Sequence, residues 1–120
     1  MGLWRDEVIQ PALDSDLEQA IAEQQAILQR DARNAGAHYA LGLLCQFKGD
    51  RSATVEYFRK AIELDSNYAA PHVSLGRIFA IDGDYDAAWR HAREAERLGD
   101  RSLVEQLRRY LPPGLKNDSR

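Results

Sequence analysis

Residues 35–68 read AGAHYALGLLCQFKGDRSATVEYFRKAIELDSNY, and residues 69–102 read AAPHVSLGRIFAIDGDYDAAWRHAREAERLGDRS. The second stretch repeats the first, with position 69 corresponding to position 35. Residues that are identical in both copies include Ala35, His38, Leu41, Gly42, Gly49, Asp50, Ala53, Ala61 and Leu64. A fixed period between about 20 and 50 residues indicates a repeat architecture, in which each unit buries its apolar face by stacking on its neighbours. Such a stack offers an extended surface rather than a closed catalytic pocket.

Each copy carries the pattern of two short helices. In the first copy, apolar residues recur at steps of three and four up to Lys48. Gly49-Asp50 then ends the helix, and the Asp50 side chain can cap the next one. We expect the segment 65–67 to end that second helix and to supply the cap for the following copy. The pattern predicts helices over 35–48 and 51–64, and in the second copy over 69–82 and 85–98. Gly42 and Gly76 occupy the same mid-helix position, where glycine costs roughly 1 kcal/mol relative to alanine. We therefore expect the paired helix to approach closely at both glycines.

These residues resemble the tetratricopeptide repeat family. The resemblance is carried by Leu41, Gly42, Gly49, Asp50, Phe58, Ala61, Leu64 and Asp65, and in the second copy by Leu75, Gly76, Phe79, Gly83, Asp84, Tyr85, Ala88 and Ala95. The sequence departs from the family pattern at Thr54, at Ala92 and at Gly99-Asp100. The resemblance implies a right-handed stack of helix hairpins, a concave face lined by the first helix of each pair, and a protein-binding role.

The predicted fold is therefore all-α, a right-handed helix-hairpin solenoid of about seven helices. Ser15 and Glu18 have capping-box spacing, which predicts a helix from Ser15 to about Arg30. A shorter helix is expected over 3–10, ended by Pro11. A capping helix is predicted after the second repeat, because the residues there form a last apolar face. This face comprises Leu103, Leu107, Tyr110 and Leu111. The expected divisions are a degenerate N-terminal half repeat (1–34), two repeats (35–68 and 69–102), a capping helix (103–111) and a flexible tail (112–120).

Composition narrows the classes of function. The formal net charge of the 120-residue chain is −3, which argues against a nucleic-acid surface. Because Cys45 is the single cysteine, no internal disulfide can form, which favours a reducing compartment. The first ten residues lack the apolar run of a signal peptide, and no stretch has the roughly 20 apolar residues of a membrane span. The expected location is the cytoplasm, without a membrane partner.

Candidate catalytic and metal-binding residues have simpler structural interpretations. His38, His72 and His91 lack the closely spaced cysteines or carboxylates that complete a metal site, so we expect them to pack beside neighbouring helices. Cys45 lies roughly 10 Å along the helix from His38, too far to be activated by it, and belongs to the buried face. An arginine stripe is interleaved with glutamates, which is typical of a solvated convex face; it comprises Arg90, Arg93, Arg97, Arg101, Arg108 and Arg109. We expect no catalytic site, no metal and no cofactor.

A second apolar stripe lies beside the buried one on the first helix of each copy. Its positions, at steps of four, are Tyr39, Leu43 and Phe47 in the first copy and Val73, Arg77 and Ile81 in the second. One interpretation is that neighbouring helices cover these residues. The other is a concave groove for a helix or peptide of a partner, with Tyr39 and Phe47 as apolar anchors and Arg77 binding a carboxylate. The asparagine and lysine clamp by which some family members hold acidic chaperone termini is not reproduced.

The sequence therefore predicts a protein–protein interaction module, either an adaptor or an assembly scaffold, that is not an enzyme. The alternative is a self-assembling structural protein that forms a homo-oligomer through its incomplete N-terminal repeat, around Trp4 and Val8.

Overall fold

The computed structural model describes residues 10–111, and all regular secondary structure in this range is α-helical. The helices are α1 (Gln10–Arg30), α2 (Ala35–Lys48), α3 (Arg51–Leu64), α4 (Ala69–Ile81), α5 (Tyr85–Arg97) and α6 (Ser102–Tyr110). The predicted all-α fold is confirmed, with six helices in this range rather than about seven. The predicted segment over 3–9 and the predicted tail over 112–120 lie outside the described residues.

The start of α1 differs from the prediction. The helix begins at Gln10 and continues through Pro11, so Ser15 lies inside it and does not cap it. A proline in the first turn of a helix is favourable, because its missing N–H would have had no partner within the helix. Pro11 therefore lies within α1 and does not end a helix at that position.

Side-chain caps start α2, α3 and α5. Asn34 Oδ1 accepts a hydrogen bond from the Ala37 amide at 2.9 Å. Asp50 and Asp84, at equivalent places in the two copies, each accept from the amide three residues on, both at 3.1 Å. Gly49 takes a φ of 90°, the left-handed conformation that glycine adopts without strain. These interactions confirm that Gly-Asp ends one helix and begins the next.

The start of α4 does not follow this rule. The residue before α4 is Tyr68, which makes no side-chain capping hydrogen bond. The segment 65–67 was expected to supply the cap, and that expectation is wrong. Asp65 Oδ1 instead accepts from the Asn67 amide at 3.0 Å, a local contact that uses the carboxylate within the turn itself.

The chain divides into two compact units between Lys60 and Ala61, within α3. In the first unit α1 packs on α2, and α2 lies against the first half of α3. Leu41 and Phe58 are fully buried. A Cβ atom at Gly42 would overlap the Phe58 ring, so this glycine is required by the close approach of α3.

In the second unit α4 packs on α5, and both contact α6. The core is formed by Val73, Ala88, Trp89, Ala92, Ala95, Leu103, Val104 and Leu107. Gly76 repeats the role of Gly42, because a Cβ atom there would overlap Leu103 and come within 3.3 Å of the Ala88 carbonyl oxygen. The capping helix is present, but Tyr110 is 73% exposed and so does not join its buried face as predicted.

We expect Leu41→Ala to lower the free energy of unfolding by about 2–5 kcal/mol, the usual range for a fully buried leucine. Leu43→Ala is the matched control, because Leu43 lies two residues away on the same helix and is 41% exposed. It should change stability much less. Urea denaturation followed by far-ultraviolet circular dichroism measures both. Equal losses would mean that the buried face of α2 is assigned incorrectly.

Candidate partner-binding surface

The three predicted groove residues of the first unit lie on one side of α2. Tyr39 is half-buried, with its ring centroid 5.4 Å from that of Phe58. Leu43 is 41% exposed and Phe47 76% exposed. Exposure thus increases along the stripe, from a tyrosine that packs on α3 to a phenylalanine that is largely open to solvent. The outer half of the stripe is the part available to a partner.

On α4 the predicted stripe is only partly exposed. Val73 is 6% exposed and belongs to the core of the second unit, so the prediction that it is a surface residue is wrong. Its burial follows from α6, whose Leu103 and Leu107 join the same core. Arg77 and Ile81, one and two turns further along, are exposed, Ile81 at 80%.

Arg77 and Ile81 line a cavity of about 390 Å³. The other residues around it are Ala80, Leu103, Gln106, Leu107, Tyr110 and Leu111. The walls are therefore mainly apolar and come from α4 on one side and from α6 and the residue after it on the other. An apolar concave site with a few polar groups is the usual form of a binding site for a side chain or small ligand.

The polar groups of this cavity are concentrated at Arg77. Its Nε donates a hydrogen bond to Gln106 Oε1 at 3.2 Å, which links α4 to α6. The pKa of Asp100 lies below its usual range because Ser102 donates hydrogen bonds to it through its side chain and backbone, with a smaller contribution from the Arg77 charge. The cavity thus combines apolar walls with one guanidinium, a group suited to a carboxylate.

The α6 side of this cavity was not predicted from the sequence. Leu103 and Leu107 were recognised as an apolar face, but only as part of a terminal cap. Both leucines belong to the core and also line the cavity, so α6 covers the core and borders the cavity with the same side chains. The useful signal was Tyr110, an aromatic residue next to a row of arginines at the end of the helix.

A second cavity lies within the first unit, with a volume of about 410 Å³ and more polar walls. It is lined by His38, Ala53, Glu56, Tyr57 and Lys60. The His38 Nε2 atom lies 3.2 Å from the Ala32 carbonyl oxygen, so Nε2 carries the proton and donates. His38 thereby ties the start of α2 to the preceding turn. Its ring centroid also lies 6.1 Å from that of Tyr57 on α3, so it packs beside a neighbouring helix as expected.

The other candidates for catalysis or metal binding are Cys45, His72 and His91. Burial raises the pKa of the Cys45 thiol, and the Asp50 charge raises it further, which favours the unreactive thiol form. His72 and His91 lie together, with their Nδ1 atoms 3.0 Å apart. Among the described residues, no three or more His, Cys, Asp or Glu side chains lie where they could hold a metal ion.

Arginines of the predicted stripe contact other side chains of the second unit. The Arg93 guanidinium lies 5.2 Å from the centre of the Trp89 ring. Arg97 pairs with Glu94, and the Arg101 Nε atom lies 3.4 Å from Glu96 Oε2. Paired and ring-stacked arginines of this kind fit a solvated face better than a surface for phosphates.

Residues 35–68 match the family model of the tetratricopeptide repeat. Residues 35–68 are thus similar to one tetratricopeptide repeat, and the α4–α5 hairpin follows the α2–α3 hairpin at the same spacing. No curated protein matches the sequence. Tetratricopeptide repeats generally mediate protein–protein interactions and are typically not enzymes. Within residues 10–111, no helix is both long enough and apolar enough to cross a bilayer.

Proposed function

We propose that this protein is an interaction module, an adaptor or assembly scaffold, that binds a helix or peptide of a protein partner at the cavity between α4 and α6. The observation that carries this proposal is the position of Arg77 and Ile81. Both belong to the stripe selected from the sequence, and both line an apolar cavity that also holds Leu107 and Tyr110. An apolar side chain of the partner would enter the cavity, and a carboxylate beside it would bind Arg77.

The first unit has exposed apolar residues of its own. Phe47, on α2, is 76% exposed, and Leu43 is 41% exposed. Large apolar side chains in such positions are typical of protein contacts rather than of a solvated helix. We propose them as a separate protein contact of the first unit. A second copy of the chain is the alternative occupant, because exposed apolar residues are equally suited to self-association.

We expect the double change Arg77→Ala and Ile81→Ala to weaken binding of a partner captured from the host by at least about tenfold, since hot-spot residues carry most of the energy of an interface. The melting temperature should change little, because both side chains are exposed. Isothermal titration calorimetry gives the affinity, and a thermal melt of each variant gives the stability.

Two controls make this experiment specific. Arg90→Ala removes an exposed arginine of α5 that does not line the cavity, and it should leave the affinity unchanged. Light scattering over a concentration series tests the second copy as the occupant. Full binding by the double variant would contradict the proposed site, and self-association abolished by the double variant would favour the homo-oligomer.

A further inference from the structure

The contact between His72 and His91 has no role in the interaction surface described above. The two Nδ1 atoms are 3.0 Å apart, one on α4 and the other on α5. The ring centroids are 5.2 Å apart, close to the largest separation that such a short nitrogen contact permits. The two nitrogens therefore point at each other along one line. This is the geometry of a hydrogen bond between the rings, and it is unlike two ligands converging on a metal ion.

Such a hydrogen bond limits the number of protons that the pair can hold. An imidazole nitrogen donates when it carries a hydrogen and accepts only when it does not. One Nδ1 must therefore be protonated and the other bare. The pair can gain one more proton on an outer nitrogen and keep the bond. A further proton would place hydrogens on both Nδ1 atoms and positive charge on both rings, and the contact could not persist.

We propose that the His72–His91 pair is a proton-sensitive link between α4 and α5, which holds at neutral pH and opens when both imidazoles are charged. The link crosses the hairpin of the second unit, with His72 in the first turn of α4 and His91 in the middle of α5. His72 is 8% exposed, so its charge is poorly solvated where it stands. The Phe79 ring stacks on His91 with its centroid 5.6 Å away, which adds apolar surroundings.

The charged groups that act on His72 include Glu94 and Arg97 of α5. Burial lowers the pKa of His72, the nearby Glu94 carboxylate partly offsets this, and the Arg97 charge adds to it. Glu94 accepts a hydrogen bond from Arg97, so its negative charge interacts with Arg97 as well as with the two histidines. On the α4 side, the Phe79 ring stacks on His91. Desolvation therefore outweighs the attraction of a single exposed carboxylate.

The direction of the pH effect follows from the lowered pKa of His72. The pKa of a histidine in an unfolded chain is about 6.5, and the pKa of His72 in the native protein is lower. At pH values between the two, the unfolded chain binds more protons than the native protein. Stability is thus fully present above about pH 6.5 and is lost as the pH falls from there towards the folded pKa. Protonation of Glu94 would weaken its contact with Arg97 only at more acidic pH. The loss of stability caused by His72 can therefore be distinguished from the loss caused by Glu94.

The test compares the folding equilibrium constants of the unmodified protein and of His72→Gln. We expect the ratio of the first to the second to fall by up to about tenfold for each pH unit below about 6.5. Urea denaturation from pH 8 to pH 5 measures both proteins. Arg90→Ala is the matched control, since it changes the exposed residue next to His91 and leaves both imidazoles in place, and its profile should follow the unmodified protein. Parallel profiles for the unmodified protein and His72→Gln would overturn the proposal.

A measurement on the unmodified protein tests the proposal even where His72→Gln does not fold. Two-dimensional proton–nitrogen spectra of the imidazole rings should show, at pH 7.5, one protonated and one bare Nδ1 in the pair. On acidification the pair should titrate in two separate steps, because its sites are coupled. Bare Nδ1 atoms on both rings, or titration of His72 and His91 in a single step, would overturn the link.

A consequence of this link rests on the proposed function. Arg77 and Ile81 line the cavity from α4, the helix that His72 anchors to α5. Opening of the link should therefore weaken a partner bound at the cavity as the pH falls below about 6.5. The stability profile and the ring spectra require no partner. A failure of the proposed binding site would therefore leave both tests of the link intact.

Discussion

Replacing Trp89 with alanine should lower the free energy of unfolding by about 3–5 kcal/mol, among the largest losses expected of any single change in this chain. Trp89 is 1% exposed and lies in the core shared by α4, α5 and α6. Natural domains are stable by only about 5–15 kcal/mol, so much of the second unit's helical signal should disappear at mild urea concentrations. Urea denaturation followed by circular dichroism measures the loss.

Ile81→Ala is the control for this change, because it truncates a large apolar side chain of the same unit that is 80% exposed. It should alter stability by no more than about 0.5 kcal/mol, as is usual for surface positions. A second variant, Arg93→Ala, removes the guanidinium that lies over the Trp89 ring and should cost about 0.5–1 kcal/mol. If Trp89→Ala cost no more than these variants, the core of the second unit would not be centred on Trp89.

The features predicted correctly from the sequence are those that depend on neighbouring residues in the chain. The cap made by Asp50 and its equivalent Asp84 needs only the amide three residues on. The breaks at Gly49 and Gly83 need only a left-handed backbone, with φ values of 90° and 84°. Because such interactions are local, they appear in the sequence as short motifs and recur at each copy of the repeat.

The incorrect predictions concern residues whose surroundings come from distant parts of the chain. Val73 was placed on the surface by analogy with Leu43 on α2, but α4 has α6 as an additional neighbour. Tyr110 was placed in the buried face of α6, yet its position near the end of that helix leaves it exposed at the cavity. A periodic pattern tells which side of a helix is apolar, but not how many helices cover it.

The candidate site was predictable to the same limited degree. Arg77 and Ile81 were selected from their spacing, and both are exposed at a cavity. The opposite wall of that cavity depends on the position of α6. Because α6 is far from α4 in the sequence, no local sequence pattern predicts their contact. The contact between His72 and His91 is similar, because its nineteen-residue separation becomes a 3.0 Å contact only when α4 and α5 pack.

Phe58→Ala should be comparably damaging to the first unit, with a loss of about 3–5 kcal/mol. Phe58 is fully buried, and its ring packs beside Tyr39 with centroids 5.4 Å apart. Phe47→Ala removes the same side chain from a position that is 76% exposed, and it should have little effect. Urea denaturation of the two variants compares a buried and an exposed phenylalanine within one unit. Similar losses would mean that α3 does not pack on α2 as described.

The same ring explains why Gly42 is a glycine, and a double change tests that explanation. Alanine is better than glycine inside a helix by roughly 1 kcal/mol, so Gly42→Ala would stabilise α2 if space allowed. Its Cβ would instead overlap the buried Phe58 ring, and we expect a loss of about 1–3 kcal/mol. In the Phe58→Ala background the overlap is gone, so the same change should become neutral or stabilising. A loss of equal size in both backgrounds would contradict the packing, because residues in contact must show a coupling energy.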